Sequence, residues 1–205
     1  MAEFAGSATS LRLYQTGQHP GLDLADHDLD GVATTPLGCG GRPDPVAHAE
    51  DVAASLVRHW SRDAPDLVIV QGDTSSALGG ARAAARLGLD LAHVEAGLRS
   101  FDMTSPWPEE PFRVEIDRLS DLLFAPTAGA AANLDREGLD GEVHVTGNSG
   151  IDALLAQRAK IPARPGSTYR RRRRRMKILV TCHRRENWGI GLTSLAMALV
   201  VGAFG

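Results

Sequence analysis

His93-Val94-Glu95-Ala96-Gly97-Leu98-Arg99-Ser100, continued by Ser105-Pro106-Trp107-Pro108-Glu109-Glu110, decides how this chain folds. The largely apolar run Leu89 to Val94 has the length and composition of a buried strand. Glu95 follows it without a break, and Glu109 comes shortly after. Open α/β sheets hold their ligands at the carboxyl ends of parallel strands, which is where Glu95 stands. Gly97 lets the chain turn away from the strand. Pro106 and Pro108 stiffen the loop and prepare a helix near Glu109.

Working outward, strands and helices alternate. Upstream, Leu11 to Thr16 reads as a strand closed by the turn Gly17 to Gly21, and Thr34 to Pro45 as a glycine- and proline-rich loop. Pro45 to Arg62 carries Val46, Ala49, Ala53, Leu56, Val57 and Trp60 at helical spacing. Asp66 to Val70 is a second buried strand, ending in Gln71-Gly72-Asp73-Thr74-Ser75-Ser76, and Ala77 to Leu87 is an alanine-rich helix. Downstream, a helix runs from Glu109 to Ser120, then strand Leu122 to Ala125, and then helix Thr127 to Glu137 with Thr127 as N-cap. Strand Glu142 to Thr146 and a helix from about Ile151 follow. This alternation predicts βαβ units around a parallel sheet. Residues 1–165 are expected to form one domain, residues 166–175 a linker, and residues 176–205 the start of a second domain. The latter has a strand Lys177 to Thr181 and a helix Gly191 to Val201.

Composition narrows the function. The chain has 205 residues, is 43% hydrophobic, and carries a net charge of -3, so it can bury a core and has no overall basic field. Arg170 to Arg175 is an unbroken arginine run. Like charges that repel fit a solvated linker, and no aromatic residues are interleaved to stack bases, so nucleic acid is not an expected partner. The start MAEFAGSATS lacks the pattern of a secretory signal. The apolar run Leu195 to Phe204 is too short to span a bilayer, so no membrane partner is expected. Cys39 and Cys182 are far apart and show no metal-ligand spacing. A cytoplasmic protein without metal or cofactor is the expectation.

Three acids stand out. Asp73 sits between a strand and a helix, either as an N-cap or as a carboxylate facing a cleft. Adjacent strands would bring it close to Glu95, and crowded like charges suit proton transfer. Glu95 could alternatively pair with Arg99 or Arg113. Glu109 and Glu110 could simply favour the helix macrodipole. His183, Arg184 and Arg185 follow a strand of the second domain, where they could be an ordinary basic loop or could bind pyrophosphate. The turn Gln18-His19 is a weaker signal. Together these features fit proton transfer on an anionic, nucleotide-linked substrate.

The motifs GDTSSA (72–77), HVEAGLRS (93–100), SPWPEE (105–110) with Arg113, FAPT (124–127), VTGNSGIDALL (145–155) and CHRREN (182–187) recur here in a set order. In that order and spacing they resemble the bacterial non-hydrolysing UDP-N-acetylglucosamine 2-epimerases. The resemblance implies the glycosyltransferase-B type fold, α/β with two Rossmann-like domains and parallel sheets. The first strand–helix unit and most of the second domain are expected to be missing. It implies a homodimer that converts UDP-GlcNAc to UDP-ManNAc by UDP elimination through 2-acetamidoglucal and re-addition. It also implies roles in surface-polysaccharide supply. Asp73, Glu95 and Glu109 match the family's acidic active-site positions, and His183 matches the histidine contacting the UDP leaving group. Arg113, Arg184 and Asn148 are the substrate-binding candidates. Gln18 and Arg184 match positions tied to an allosteric UDP-GlcNAc site. Cys182 stands where the family usually has glycine. The alternatives are a hydrolysing relative and a catalytically incompetent fragment.

Overall fold

Short β-branched and apolar runs between helices set up the sheet. The computed structural model of the chain describes residues 9–18, 31–161, 181 and 189–204. They comprise β1 (Arg12–Gln15), β2 (Ala33–Pro36), α1 (Pro45–Trp60), β3 (Leu67–Gln71), α2 (Ser75–Leu87) and β4 (Asp90–Val94). Then come α3 (Glu109–Leu119), β5 (Leu122–Ala125), α4 (Ala128–Glu137), β6 (Glu142–Val145), α5 (Ser149–Lys160) and α6 (Ile190–Phe204). The chain divides into two compact units, Met1–Lys160 and Ile161–Gly205.

In the first unit, β3, β4, β5 and β6 form a parallel sheet in that order. Strands that advance steadily across a sheet through right-handed crossovers put their connecting helices on one face. Val68, Val70, Leu91, Leu123 and Ala125 are buried on that face, against α1 to α4. The opposite face of β3 leaves Leu67 and Ile69 exposed. α1 and α2 lie so close that a Cβ on Gly79 would come within 2.6 Å of the Val52 side chain. Each fully buried aliphatic side chain there, such as Leu78 or Ile116, contributes on the order of 2 kcal/mol.

One expectation is corrected. The start of the predicted loop Thr34 to Pro45 is a strand, since β2 pairs in parallel with β1, Leu13 opposite Thr34 and Tyr14 opposite Thr35. The β-branched Thr34 and Thr35 suit a pleated edge, and tertiary pairing overrides the nearby prolines and glycines. Tyr14 carries this small sheet onto the core, meeting Trp60 edge-on at 5.7 Å between ring centres. α5 starts at Ser149 rather than Ile151, and buries none of its residues.

In the second unit, α6 is strongly apolar in sequence, with Thr193 and Ser194 its polar residues. The predicted strand Lys177 to Thr181 lies outside the described residues except at Thr181.

Candidate active site at the carboxyl edge of the sheet

β3 and β4 are neighbours with Gln71 opposite Val94, so the segments that follow them leave the sheet side by side. Gly72 donates its N–H to the Val94 carbonyl at 3.0 Å, and Glu95 and Ala96 both donate to the Phe124 carbonyl at 3.1 Å. Gly72 turns with φ at +70°. Glu95 does so as well, at +77°, although it is not glycine. A side chain in that region costs about 1–2 kcal/mol, and such strain survives only where surrounding contacts over-determine it. The turn aims the Glu95 carboxylate at the Gly72–Asp73 segment. Its Oε2 would lie 3.4 Å from a Cβ placed on Gly72.

Asp73 is not the N-cap of α2. Thr74 takes that place, its hydroxyl accepting from the Ala77 N–H. The Asp73 carboxylate is instead ion-paired with Arg113 Nη2 of α3. Arg113 Nη1 also reaches Glu110 Oε2 at 3.4 Å. Glu109, one helical turn before Arg113, opens α3 behind an N-cap, Pro108, that offers no side-chain bond. Glu109 Oε2 and Arg113 Nε are both buried without a hydrogen-bond partner. A buried donor and a buried acceptor on one helix face, both unmatched, mark a place where a ligand's hydroxyl or amide would be held. The alternative pairing of Glu95 with Arg99 or Arg113 does not occur, because Arg99 binds Asp117 and Glu137 while Arg113 binds Asp73 and Glu110.

The other candidates sit further out. Gln18 Oε1 accepts from the Ser76 N–H at 3.3 Å and its hydroxyl at 2.6 Å, so this side chain caps the first turn of α2 near Asp73. Asn148 follows β6, two strands from β4, and its Oδ1 accepts from the Gly150 N–H at 2.8 Å. No hydrogen bond joins it to the acidic turns. His183, Arg184 and Arg185 lie outside the described residues.

Beneath these acids is a layer the motif reading does not single out. Glu110 is 1% exposed and accepts from the Ser100 N–H at 2.9 Å and the Phe101 N–H at 3.0 Å, pinning the loop. His93, Asp117 and Arg99 form a buried polar chain. Burial of the Arg99 guanidinium works against its charge, yet hydrogen bonds to Glu137 and Asp117 outweigh this and raise its pKa. The same contact with Arg99 lowers the pKa of Glu137 despite partial burial. The available signal was a polar His93 inside an apolar strand and an Asp117 on the inward side of α3, since buried polar groups demand partners.

The fold and this edge define a parallel α/β protein of the Rossmann-like, glycosyltransferase-B type, with acidic turns gathered at the strand ends. The sequence profile for UDP-N-acetylglucosamine 2-epimerase matches residues 5–201, so the chain belongs to that family. A Methanococcus maripaludis UDP-N-acetylglucosamine 2-epimerase is 44% identical over 131 residues, 62% of this chain and 35% of the relative. A Campylobacter jejuni UDP-N-acetylglucosamine 2-epimerase is 40% identical over 148 residues, 67% of this chain and 39% of the relative. The chain thus spans well under half the length of these relatives. Among solved structures, the Methanocaldococcus jannaschii UDP-GlcNAc 2-epimerase in complex with UDP-GlcNAc and UDP aligns with a TM-score of 0.68 at 35% identity. That alignment covers 75% of this chain and 43% of that one. A Listeria monocytogenes structure described as a putative UDP-N-acetylglucosamine 2-epimerase aligns with a TM-score of 0.76 at 29% identity, covering 93% and 50%.

Proposed function

We propose that this chain forms the acid-bearing part of an enzyme that inverts C2 of UDP-N-acetylglucosamine to give UDP-N-acetylmannosamine. The observation that carries this is the convergence of Asp73, Glu95 and the Glu109–Arg113 face of α3 at one sheet edge. In this reaction the C2 proton is removed and the C1–O bond to UDP breaks, leaving 2-acetamidoglucal and UDP. UDP then re-adds at C1 while a proton arrives at C2 from the opposite face, so the sum is an isomerisation without added water. Asp73, Glu95 and Glu109 are the candidates for these proton transfers, since opposite faces of one carbon need donors on separate segments. Arg113 would orient Asp73 and present its Nε to the sugar. His183 and Arg184 would contact the leaving UDP, Asn148 would lie towards the substrate, and Gln18 with Arg184 would serve an allosteric UDP-GlcNAc site. Residues 1–165 would form the acid-bearing domain, 166–175 the linker and 176–205 the start of the UDP-binding domain, in a cytoplasmic homodimer.

Incubation with UDP-GlcNAc in deuterated water tests the chemistry. Deuterium is expected at C2 of both sugars, and Asp73→Asn, Glu95→Gln and Glu109→Gln should each slow it by about 100-fold or more. Unchanged exchange in these variants would refute their roles. Net UDP release in proportion to free N-acetylmannosamine would instead assign the chain to hydrolysing relatives.

A further inference from the structure

We propose that His93 and Asp117 are positioning residues: they hold the Asp73 turn, the Glu95 turn and helix α3 at a set separation. The inference rests on the reading above, in which these acids act on one substrate. It stands on hydrogen bonds that the proposed chemistry does not use.

Asp117 lies on α3, eight residues past Glu109, and is 1% exposed. Its Oδ2 accepts from the Gly97 N–H at 3.1 Å and from Arg99 Nη1 at 2.7 Å. Gly97 closes the turn that presents Glu95, with φ at +79°. A Cβ there would fall 2.3 Å from the Ala130 carbonyl oxygen, so the turn also has α4 as a wall. Asp117 Oδ1 is 2.6 Å from His93 Nδ1, and His93 Nε2 is 3.0 Å from the Gly72 carbonyl oxygen. Gly72 precedes Asp73. One carboxylate on the Glu109 helix therefore grips the Glu95 turn directly and the Asp73 turn through an imidazole.

Proton counting defines the imidazole. A carbonyl oxygen can only accept, so Nε2 carries a proton. The other ring nitrogen, Nδ1, shares a hydrogen bond with Asp117 Oδ1 at 2.6 Å. Arg99 is neutralised by Glu137, to which it binds through Nε at 2.6 Å and Nη2 at 2.8 Å. Both ring nitrogens and both Asp117 oxygens are thus engaged, and none is left to hold a substrate. A network so saturated in a buried setting is rigid, and removing one arm leaves specific partners unmatched.

The two arms can be cut separately in the full chain. A glutamine amide reaches the place of Nε2, and an asparagine amide reaches that of Nδ1. His93→Gln keeps a donor for Gly72, whereas His93→Asn keeps only the Asp117 arm. Amide hydrogen exchange at Gly72 should be about tenfold or more faster in His93→Asn than in His93→Gln, with kcat for C2 exchange lower by about 10- to 100-fold at a KM within about twofold. Asp117→Asn can donate to Nδ1 and still accept from Gly97, so it should retain Gly72 and Gly97 protection that Asp117→Ala loses. Long-range 15N–1H correlation spectra of the wild-type chain should show a protonated His93 Nε2. A bare Nε2 overturns the proposal, as does equal Gly72 protection in His93→Gln and His93→Asn, or equal loss in Asp117→Asn and Asp117→Ala. Absent C2 exchange in the wild type would refute the proposed function, while the spectra and amide exchange would still decide the positioning role.

Discussion

Two polar layers meet at the carboxyl edge of β3 and β4, and they differ in how completely their groups are matched. In the lower layer, His93, Asp117, Arg99 and Glu110 are buried and have partners at both ends. In the upper layer, Glu109 Oε2 and Arg113 Nε are buried and unmatched. The Glu95 carboxylate there lies beside Gly72 with no described hydrogen bond or ion pair. Glu109 and Glu110 make the contrast within two adjacent residues of one helix turn. Glu110 points into the loop and is saturated, while Glu109 keeps an unmatched oxygen. A protein gains nothing for stability by burying an orphan acceptor. The difference teaches that the lower layer uses its hydrogen-bonding capacity on the fold, while the upper layer leaves part of its own unused.

Substitutions can break or sharpen this contrast. Asp117→Ala strips a buried network of its centre and should cost about 3–5 kcal/mol in chemical unfolding. Glu110→Ala leaves two backbone N–H groups facing a void and should cost about 1–3 kcal/mol. A loss as large from Glu109→Ala would erase the distinction between the layers. Glu95 should behave in the opposite sense. Glu95→Gly relieves a left-handed side chain and should melt above Glu95→Ala by the equivalent of about 1 kcal/mol, while neither variant supports C2 exchange. Asp73→Asn weakens a partly exposed ion pair and should change stability by less than about 1 kcal/mol.

The smallest effect is in acid. The pKa of Glu137 is lowered in the fold from an ordinary 4.5. Its contribution is therefore complete above that value and is lost as pH falls through the lowered folded value. Glu137→Gln should remove this part of the acid sensitivity in pH-dependent melting and lower the melting temperature by a constant amount at higher pH, where the lost contribution was complete. An unaltered acid limb would show that Arg99 is held by Asp117 alone.

Much of the fold was legible along the chain. β5 ends where the apolar run Leu122 to Ala125 ends, and Thr127 caps α4 through the Ala130 N–H at 3.1 Å. These elements declare themselves because period, caps and breakers act over a few residues. β2 was hidden, because two threonines among prolines and glycines become a strand only when β1 lies alongside. At the site, the strand-end placement of Asp73 and Glu95 could be read, but the partner of each could not. Asp73 was suited to cap its own helix, yet Arg113, 40 residues away, claims its carboxylate. Arg99, the nearest cation to Glu95 in sequence, is claimed by Asp117 and Glu137 instead.

By itself, then, the sequence determined the order of strands and helices from α1 to α5, the turns at their ends and the identity of the acids those turns carry. Each of these follows from local sterics and hydrophobic periodicity. Which acid is satisfied and which is left open was decided only in three dimensions. Hydrogen bonds and ion pairs reach a few ångströms through space, and the partners they join here lie tens of residues apart along the chain.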